Sequence, residues 1–457
     1  MRSTRSHVAA SRRLASQEVD RPLARRPQAS IGMRQATIAA QAELEGGRPP
    51  AVVATVGATL SLVVFLTGWP VYSMLILGGT KALSYYMMSV AFAAVVALMS
   101  VSERRYRPGS IVSEPLVWCL SIYLLLGLLW VQFSPGDPEF LAQIWRARVL
   151  VLLLLVSMLV LVGSAKRGWI TSSIAVAFLF NVAIYWFDLA YPGTVVPLGF
   201  PGSNPGRAAG FHLNANEASS ALVGTSIALL ALSPMRFRGL VLVALFLGVA
   251  ATLSRSGIIL SVLLVLFARK RRLLDRRQLG MLLSAVPVLA LAFSFFYALM
   301  LTLPEVDIEN VNGRLLWFAT GGREVDDSAS QRIQVAKAAL DMFLESPVLG
   351  QGFAASLRDP IMEPHNMYLM LAAEQGIVGL AVYAAFLYLI VSRGTRLVRE
   401  SGDDIRRVEQ GMALIAMGGF IAIQSLFSHN VLDQPTFYLV LSSLLAVSSR
   451  PADRRPG

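Results

Sequence analysis

Few residues in this chain have types suited to chemistry. Four histidines occur, His7, His212, His365 and His429. His365 stands in Pro364-His365-Asn366, where a charged stretch gives way to an apolar helical pattern. Nine residues separate Asn366 from Gly376-Ile377-Val378-Gly379. The proline fixes the approach of the chain, and the histidine falls near the helix start. Glycines two turns below permit close helix packing. A neutral imidazole at the water edge can take a proton from a hydroxyl near pH 7. The plainer reading is that His365 caps the helix. For the other three, a lone histidine with no functional role is the default.

Arginine gives the second signal. Arg255 lies in Thr252-Leu253-Ser254-Arg255-Ser256-Gly257, between two apolar runs too short to be ordinary membrane spans. An ionisable residue at that depth is a functional hypothesis; the plainer reading is that it closes carbonyls in a tight hairpin. Arg207 lies in Asn204-Pro205-Gly206-Arg207-Ala208-Ala209-Gly210, followed by Asn214 and Asn216, and Arg332 follows Ser330-Gln331. Each alone reads as well as a solvated surface charge. Together they describe an anion site, because guanidinium binds phosphate through paired donors and keeps its charge.

Other chemistries lack their residues. There is no Walker A pattern and no Rossmann glycine pattern beside a strand. The single cysteine, Cys119, is in an apolar run, and no Cys/His spacing fits a zinc site. No metal and no cofactor are expected. Asp326-Asp327 reads as a helix cap rather than a cation site, and Asp403-Asp404 as a solvated face.

The elements that position these residues must be membrane helices. Of 457 residues, 55% are hydrophobic and 15% charged, with a mean hydropathy of +0.59. A soluble domain averages roughly 45–50% apolar and about 25% charged residues. Spans of mostly apolar residues are expected near 51–68, 82–101, 111–132, 149–163, 169–190, 215–233, 239–253, 256–268, 279–302, 366–391, 411–428 and 435–449. The fold class is thus an all-α polytopic membrane protein with about twelve transmembrane helices. With both termini inside, the cytoplasmic segments carry 30 of the 40 Lys and Arg. The reverse orientation would put Arg269-Lys270-Arg271-Arg272 outside, against the positive-inside rule. The net charge of +12 therefore reflects orientation, and no nucleic-acid partner is inferred.

Three regions follow. Residues 1–50, rich in Arg, are expected to be a disordered cytoplasmic tail that can lie on anionic lipid. Residues 51–449 form the transmembrane domain, and 450–457 a short cytoplasmic tail. Two external loops stand out, 191–214 and the large 303–365. In the second, an amphipathic stretch from Ile333 to Leu344, preceded by Asp327-Ser328, predicts a helix that stops at Ser346-Pro347. Gly350-Gln351-Gly352 then predicts a turn. Long structured loops between spans are often functional.

The sequence resembles the O-antigen ligase and O-antigen (exopolysaccharide) polymerase superfamily. The resemblance is carried by His365-Asn366-x9-Gly376-x2-Gly379, Ser254-Arg255-Ser256-Gly257, Arg207-x2-Gly210 leading to Asn214-x-Asn216, and Arg332 followed by a helix, Pro347 and Gly350-Gln351-Gly352. One departure is Leu380, where ligases often carry Gly, Thr or Tyr. The resemblance implies a metal-independent, inverting glycosyltransferase of the bacterial inner membrane, with its site facing the periplasm. Its donor would be a glycan on undecaprenyl diphosphate. Its acceptor would be a saccharide, either a lipid-linked repeat (polymerase, the favoured reading) or lipid A-core (ligase). Membrane lipid and other membrane proteins of polysaccharide assembly would be its partners. By motif position His365 would be the general base. Arg255, Arg332 and Arg207 would hold the diphosphate, supported by Asn366, Gly376, Gly379 and Asn216. The competing class is a polytopic transporter or flippase of a lipid-linked glycan. It would need paired repeats and polar sites near the midplane, and no repeated halves are visible.

Overall fold

A computed structural model describes residues 52–73, 76, 82–102, 114–134, 136–198, 200, 205–320, 327–357 and 364–449. The two expected tails lie outside the described residues. Among these, every regular element is a helix. The main ones are α1 (Val52–Leu66), α2 (Ala82–Ser102), α3 (Pro115–Val131), α4 (Pro138–Ser164), α5 (Arg167–Ala190), α6 (Ala215–Leu232) and α7 (Arg238–Thr252). They continue with α8 (Arg255–Lys270), α9 (Arg276–Met300), α10 (Ile308–Ala319), α11 (Asp327–Glu345), α12 (Met367–Glu400), α13 (Ile405–Gln424) and α14 (Pro435–Ser448). A helix overlaps each of the twelve apolar segments. Among the described residues, six helical segments are long and apolar enough to cross a membrane by length and composition.

Helix ends are set by local chemistry. Asn214 caps α6, Ser254 caps α8 and Asn366 caps α12, each side chain accepting from backbone N–H groups of the first turn. Asp404 does the same for α13, so it is a cap and not merely part of a solvated face. Asp275 and Gln278 form a reciprocal capping box on α9. The helix α4 begins at Pro138, behind the Asp137 cap, well before the apolar run at 149. Its early turns carry Arg146 and Arg148, whose charge hides the helix from a hydropathy reading. Arg148 is in fact 3% exposed, because its Nε lies 2.9 Å from Asp433 Oδ1.

The bundle is built around α6. Every α6 residue except Asn216 and Glu217 is buried, and α5, α7, α8, α13 and α14 pack against it. A helix buried on all sides belongs in the middle of a bundle. By contrast α9 buries only Gln278, Leu282 and Met300 and leans chiefly on α7, leaving its apolar flank for lipid.

The two ends of the bundle separate cleanly. At one end Arg238 pairs with Glu409 at 2.6 Å and donates to the Leu273 carbonyl at 3.1 Å, while Arg167 reaches the Ala231 carbonyl. These are segments expected on the cytoplasmic side. At the other end the loops after α5, α7, α9, α11 and α13 meet, and the candidate site lies there.

Candidate functional site

The floor of the site is a hydrogen-bonded junction of three segments. Asp188 near the end of α5 accepts from the Ala209 and Gly210 amides at 2.9 and 3.0 Å, which fixes the turn after Arg207. The Ala208 amide donates to the Ala251 carbonyl at 3.0 Å. Arg207 itself donates through Nε to Thr252 O at 3.3 Å and through Nη2 to Asn216 Oδ1 at 3.2 Å. Ser254 Oγ donates to the same Asn216 oxygen at 3.0 Å. Asn216 thus ties the loop 205–214 to the α7–α8 hairpin, where Leu253 adopts left-handed φ (47°) to make the turn.

Arg255 follows directly at the first position of α8. Its guanidinium lies over the Trp317 ring, 5.2 Å from the ring centroid. Trp317 belongs to α10, in the large loop, and the same helix carries Arg314, which is 7% exposed. Arg332 projects from α11, which packs along α12. Burial first, then the charges of Arg314, Arg332 and Arg255, push the Arg207 pKa down to about 9. The four guanidiniums therefore share one electrostatic neighbourhood.

His365 precedes the Asn366 cap of α12 and remains exposed at its edge. Asn366 Oδ1 accepts from the Tyr368 and Leu369 amides at 2.9 and 3.1 Å, so the cap is Asn366 and not the histidine. The Met367 amide donates to Ser425 O at 2.8 Å, pinning this start to the end of α13. The His429 ring lies 5.9 Å from that of His365, centroid to centroid. Partial desolvation, followed by the charges of Arg332 and His429, pushes the His365 pKa down to about 4. The ring is thus a neutral proton acceptor at pH 7. Arg332 acts on both Arg207 and His365, and so links the arginines to the histidine.

The two glycines below do different things. Gly376 breaks α12, with φ 61° and ψ −154°. The loop after α11 crosses this break and fills the groups it exposes. The amides of Gln351 and Gly352 donate to Ala373 O (2.7 Å) and Glu374 O (3.0 Å), and the Ile377 amide donates to Pro347 O at 2.9 Å. A Cβ on Gly376 would lie 2.3 Å from Val348 O. Gly379 lies in regular helix against the Gln375 side chain. Gly376 is therefore a break point that receives the loop, rather than a contact for a continuous neighbouring helix.

His212 does not join the site. It is 7% exposed in a 3-10 turn beside Tyr185, and burial pushes its pKa down to about 4. Below the arginines an apolar groove of about 260 Å³ runs between α6, α8 and α13, lined by Val223, Ile227, Leu260, Phe267, Phe420 and others. Among the described residues no group of three or more His, Cys, Asp or Glu side chains is placed to hold a metal ion.

Arg207 is thus bonded to Asn216 and interacts electrostatically with Arg255 and Arg332, and Arg332 with His365, which Asn366 follows as the cap, whereas Gly376 lies further along α12 against Val348. Arg314, Trp317 and the pairing of His429 with His365 lie outside the sequence motifs. Arg314 and Trp317 are three residues apart within Ile308–Ala319, a helix that lies inside the segment expected as the large external loop.

Among curated proteins, none matches the chain at a significant level. Residues 240–384 match the family model Wzy_C, described as O-Antigen ligase. The match runs from α7 into α12 and includes Arg255, Arg332, His365, Asn366, Gly376 and Gly379, while Arg207 and Asn216 precede it. The match, which covers residues 240–384 of the 457, bears out the resemblance of the chain to the O-antigen ligase and polymerase superfamily.

Proposed function

We propose that the protein is an inverting membrane glycosyltransferase. It moves a glycan from undecaprenyl diphosphate to a saccharide hydroxyl on the periplasmic side of the inner membrane, building surface polysaccharide. The observation that carries this reading is that Asn216 ties Arg207 to the hairpin that bears Arg255, at the end of the bundle where the exposed His365 opens α12. Arg255, Arg332 and Arg207 hold the diphosphate. The apolar groove beneath takes the first isoprene units of its lipid. The acceptor oxygen attacks the anomeric carbon, the bond from that carbon to the diphosphate oxygen breaks, and the electron pair leaves with the phosphate. His365 takes the hydroxyl proton. The guanidiniums meet the growing negative charge without reorganising, which is how a preorganised site lowers a barrier.

The favoured acceptor is a second lipid-linked repeat, making the protein a polymerase. The description of the matched family favours the other acceptor, lipid A-core, and hence a ligase. The test is transfer by purified protein, given a defined undecaprenyl-diphosphate glycan and one acceptor at a time. Elongation on lipid-linked repeats alone supports the polymerase, transfer to lipid A-core alone supports the ligase, and transfer to neither overturns the reading. A transporter is disfavoured by position, since the cationic groups sit at helix starts and loops rather than midway along helices.

A further inference from the structure

The helix α10 is amphipathic, and its buried face is used residue by residue. Val306 and Val311 are 7% and 1% exposed and lie against Gly206, where an added Cβ would fall 2.8 and 2.9 Å from their methyl groups. This is the residue immediately before Arg207, and its φ of +92° suits glycine. One turn beyond Val311 on the same face comes Arg314, which is 7% exposed. The following turn brings Trp317 beneath the Arg255 guanidinium. From 311 to 317 the axis rises only about 9 Å. Thus α10 is anchored beside Arg207 at one point and beside Arg255 at another, and Arg314 lies between the two anchors.

From this placement we propose that Arg314 is a fourth diphosphate-binding residue, set by α10 between Arg207 and Arg255. This rests on the donor reading given above and adds to it a residue that the motifs do not contain. Of the three arginine charges acting on Arg207, that of Arg314 is the strongest. A diphosphate offers oxygens on two phosphorus atoms, enough to engage guanidiniums that approach from both Arg207 and Arg255. When the anomeric carbon–oxygen bond breaks, the departing lipid diphosphate gains a further ionisable oxygen, so the demand for cations is greater at the end of the reaction than at its start. An additional guanidinium also makes the site prefer a diphosphate to a monophosphate, because a monophosphate cannot engage the whole cluster.

The test measures binding of undecaprenyl diphosphate and undecaprenyl monophosphate to the purified full-length protein in detergent. The proteins compared are wild type, Arg314→Gln, Arg314→Lys and Arg255→Gln. A charged hydrogen bond of the usual strength corresponds to about 10- to 100-fold in affinity. Arg314→Gln is expected to weaken diphosphate binding by about that factor and monophosphate binding by clearly less, and Arg314→Lys to recover part of the loss. A loss equal for both lipids and unrelieved by lysine would make Arg314 merely structural and overturn the inference. Wild-type binding by Arg314→Gln, with Arg255→Gln weakened, would overturn the inference and leave the proposed function standing. Wild-type binding by both glutamine variants would overturn the anion site itself. If Arg314→Gln does not fold, Arg314→Lys carries the comparison, and unchanged diphosphate selectivity in it overturns the inference.

Discussion

At the scale of the residue, His365 and the arginines make separable predictions. His365→Ala is expected to lower turnover about 10²–10⁴-fold, the usual contribution of general acid–base catalysis, with donor binding nearly unchanged. His365→Asn is a competent cap by residue type, but Asn366 already fills that role. It should therefore be as inactive as alanine, and near-normal turnover would sink the base assignment. The arginines should behave differently. Arg255→Ala and Arg332→Ala should weaken donor binding, and the lysine variants should keep part of the activity, since lysine retains the charge and loses the planar fork. The histidine environment adds a pH prediction. A base must be unprotonated, so kcat/KM falls as pH drops through the His365 pKa of the free enzyme. That acid limb is expected near about 4, below the usual histidine value of about 6.5. Arg332→Gln removes a cation that disfavours the imidazolium, so it should move the limb upward. Desolvation, the larger cause, stays in place, so the shift should be partial. A pH–rate profile unchanged by Arg332→Gln would show that the two groups do not interact.

At the scale of the element, the break in α12 is the feature most open to test. Gly376 combines positive φ with backbone atoms of Val348 where a Cβ would lie, whereas Gly379 has ordinary helical geometry and an added Cβ would meet one side chain, that of Gln375, at its Cβ (2.5 Å) and Oε1 (2.8 Å). Gly376→Ala should therefore cost about 1–3 kcal/mol through strain and displace the loop that crosses the break. Gly379→Ala should cost less, because it adds no backbone strain and its close contacts are with a single side chain rather than with the backbone of another segment. Thermal unfolding in detergent reads the difference, and equal Tm values would contradict it. The sequence showed both glycines but not their difference, because the conformation of Gly376 is imposed by chain some 28 residues earlier, at Val348. Other elements were legible for a clear reason. Helix α11 and its end at Ser346-Pro347 follow from local periodicity and proline chemistry. The beginning of α4 did not, because Arg148 looks like loop until its partner, Asp433, is known. Arg314 was hidden in the same way, since only the packing of Val311 on Gly206 shows which face of α10 turns inward. Local signals reveal helices; the partners that justify a buried charge lie far away in the chain.

At the scale of the whole molecule, the proposed chemistry requires that the arginine cluster face the compartment that supplies the lipid-linked glycan. The bundle has two ends. One holds Arg207, Arg255, Arg332 and His365, and the other holds Arg238 with Glu409 and the basic run Arg269-Lys270-Arg271-Arg272. Between them runs α8, whose first residue is Arg255 and whose last turn contains Arg269 and Lys270. The orientation of this one helix therefore sets which face the site meets, and by the positive-inside rule its basic end is expected in the cytoplasm. The prediction is read with cysteines placed at Lys337 in α11 and at Asp403 before α13, both exposed, in a Cys119→Ser background that removes the native thiol. In cells with a permeabilised outer envelope, a membrane-impermeant thiol reagent should label the cysteine at 337 and spare that at 403 until the inner membrane is opened. The opposite pattern would invert the molecule and turn the arginines toward the cytoplasm. The reaction would then have to draw its donor from the cytoplasmic leaflet, and the proposed periplasmic transfer would fall with the topology.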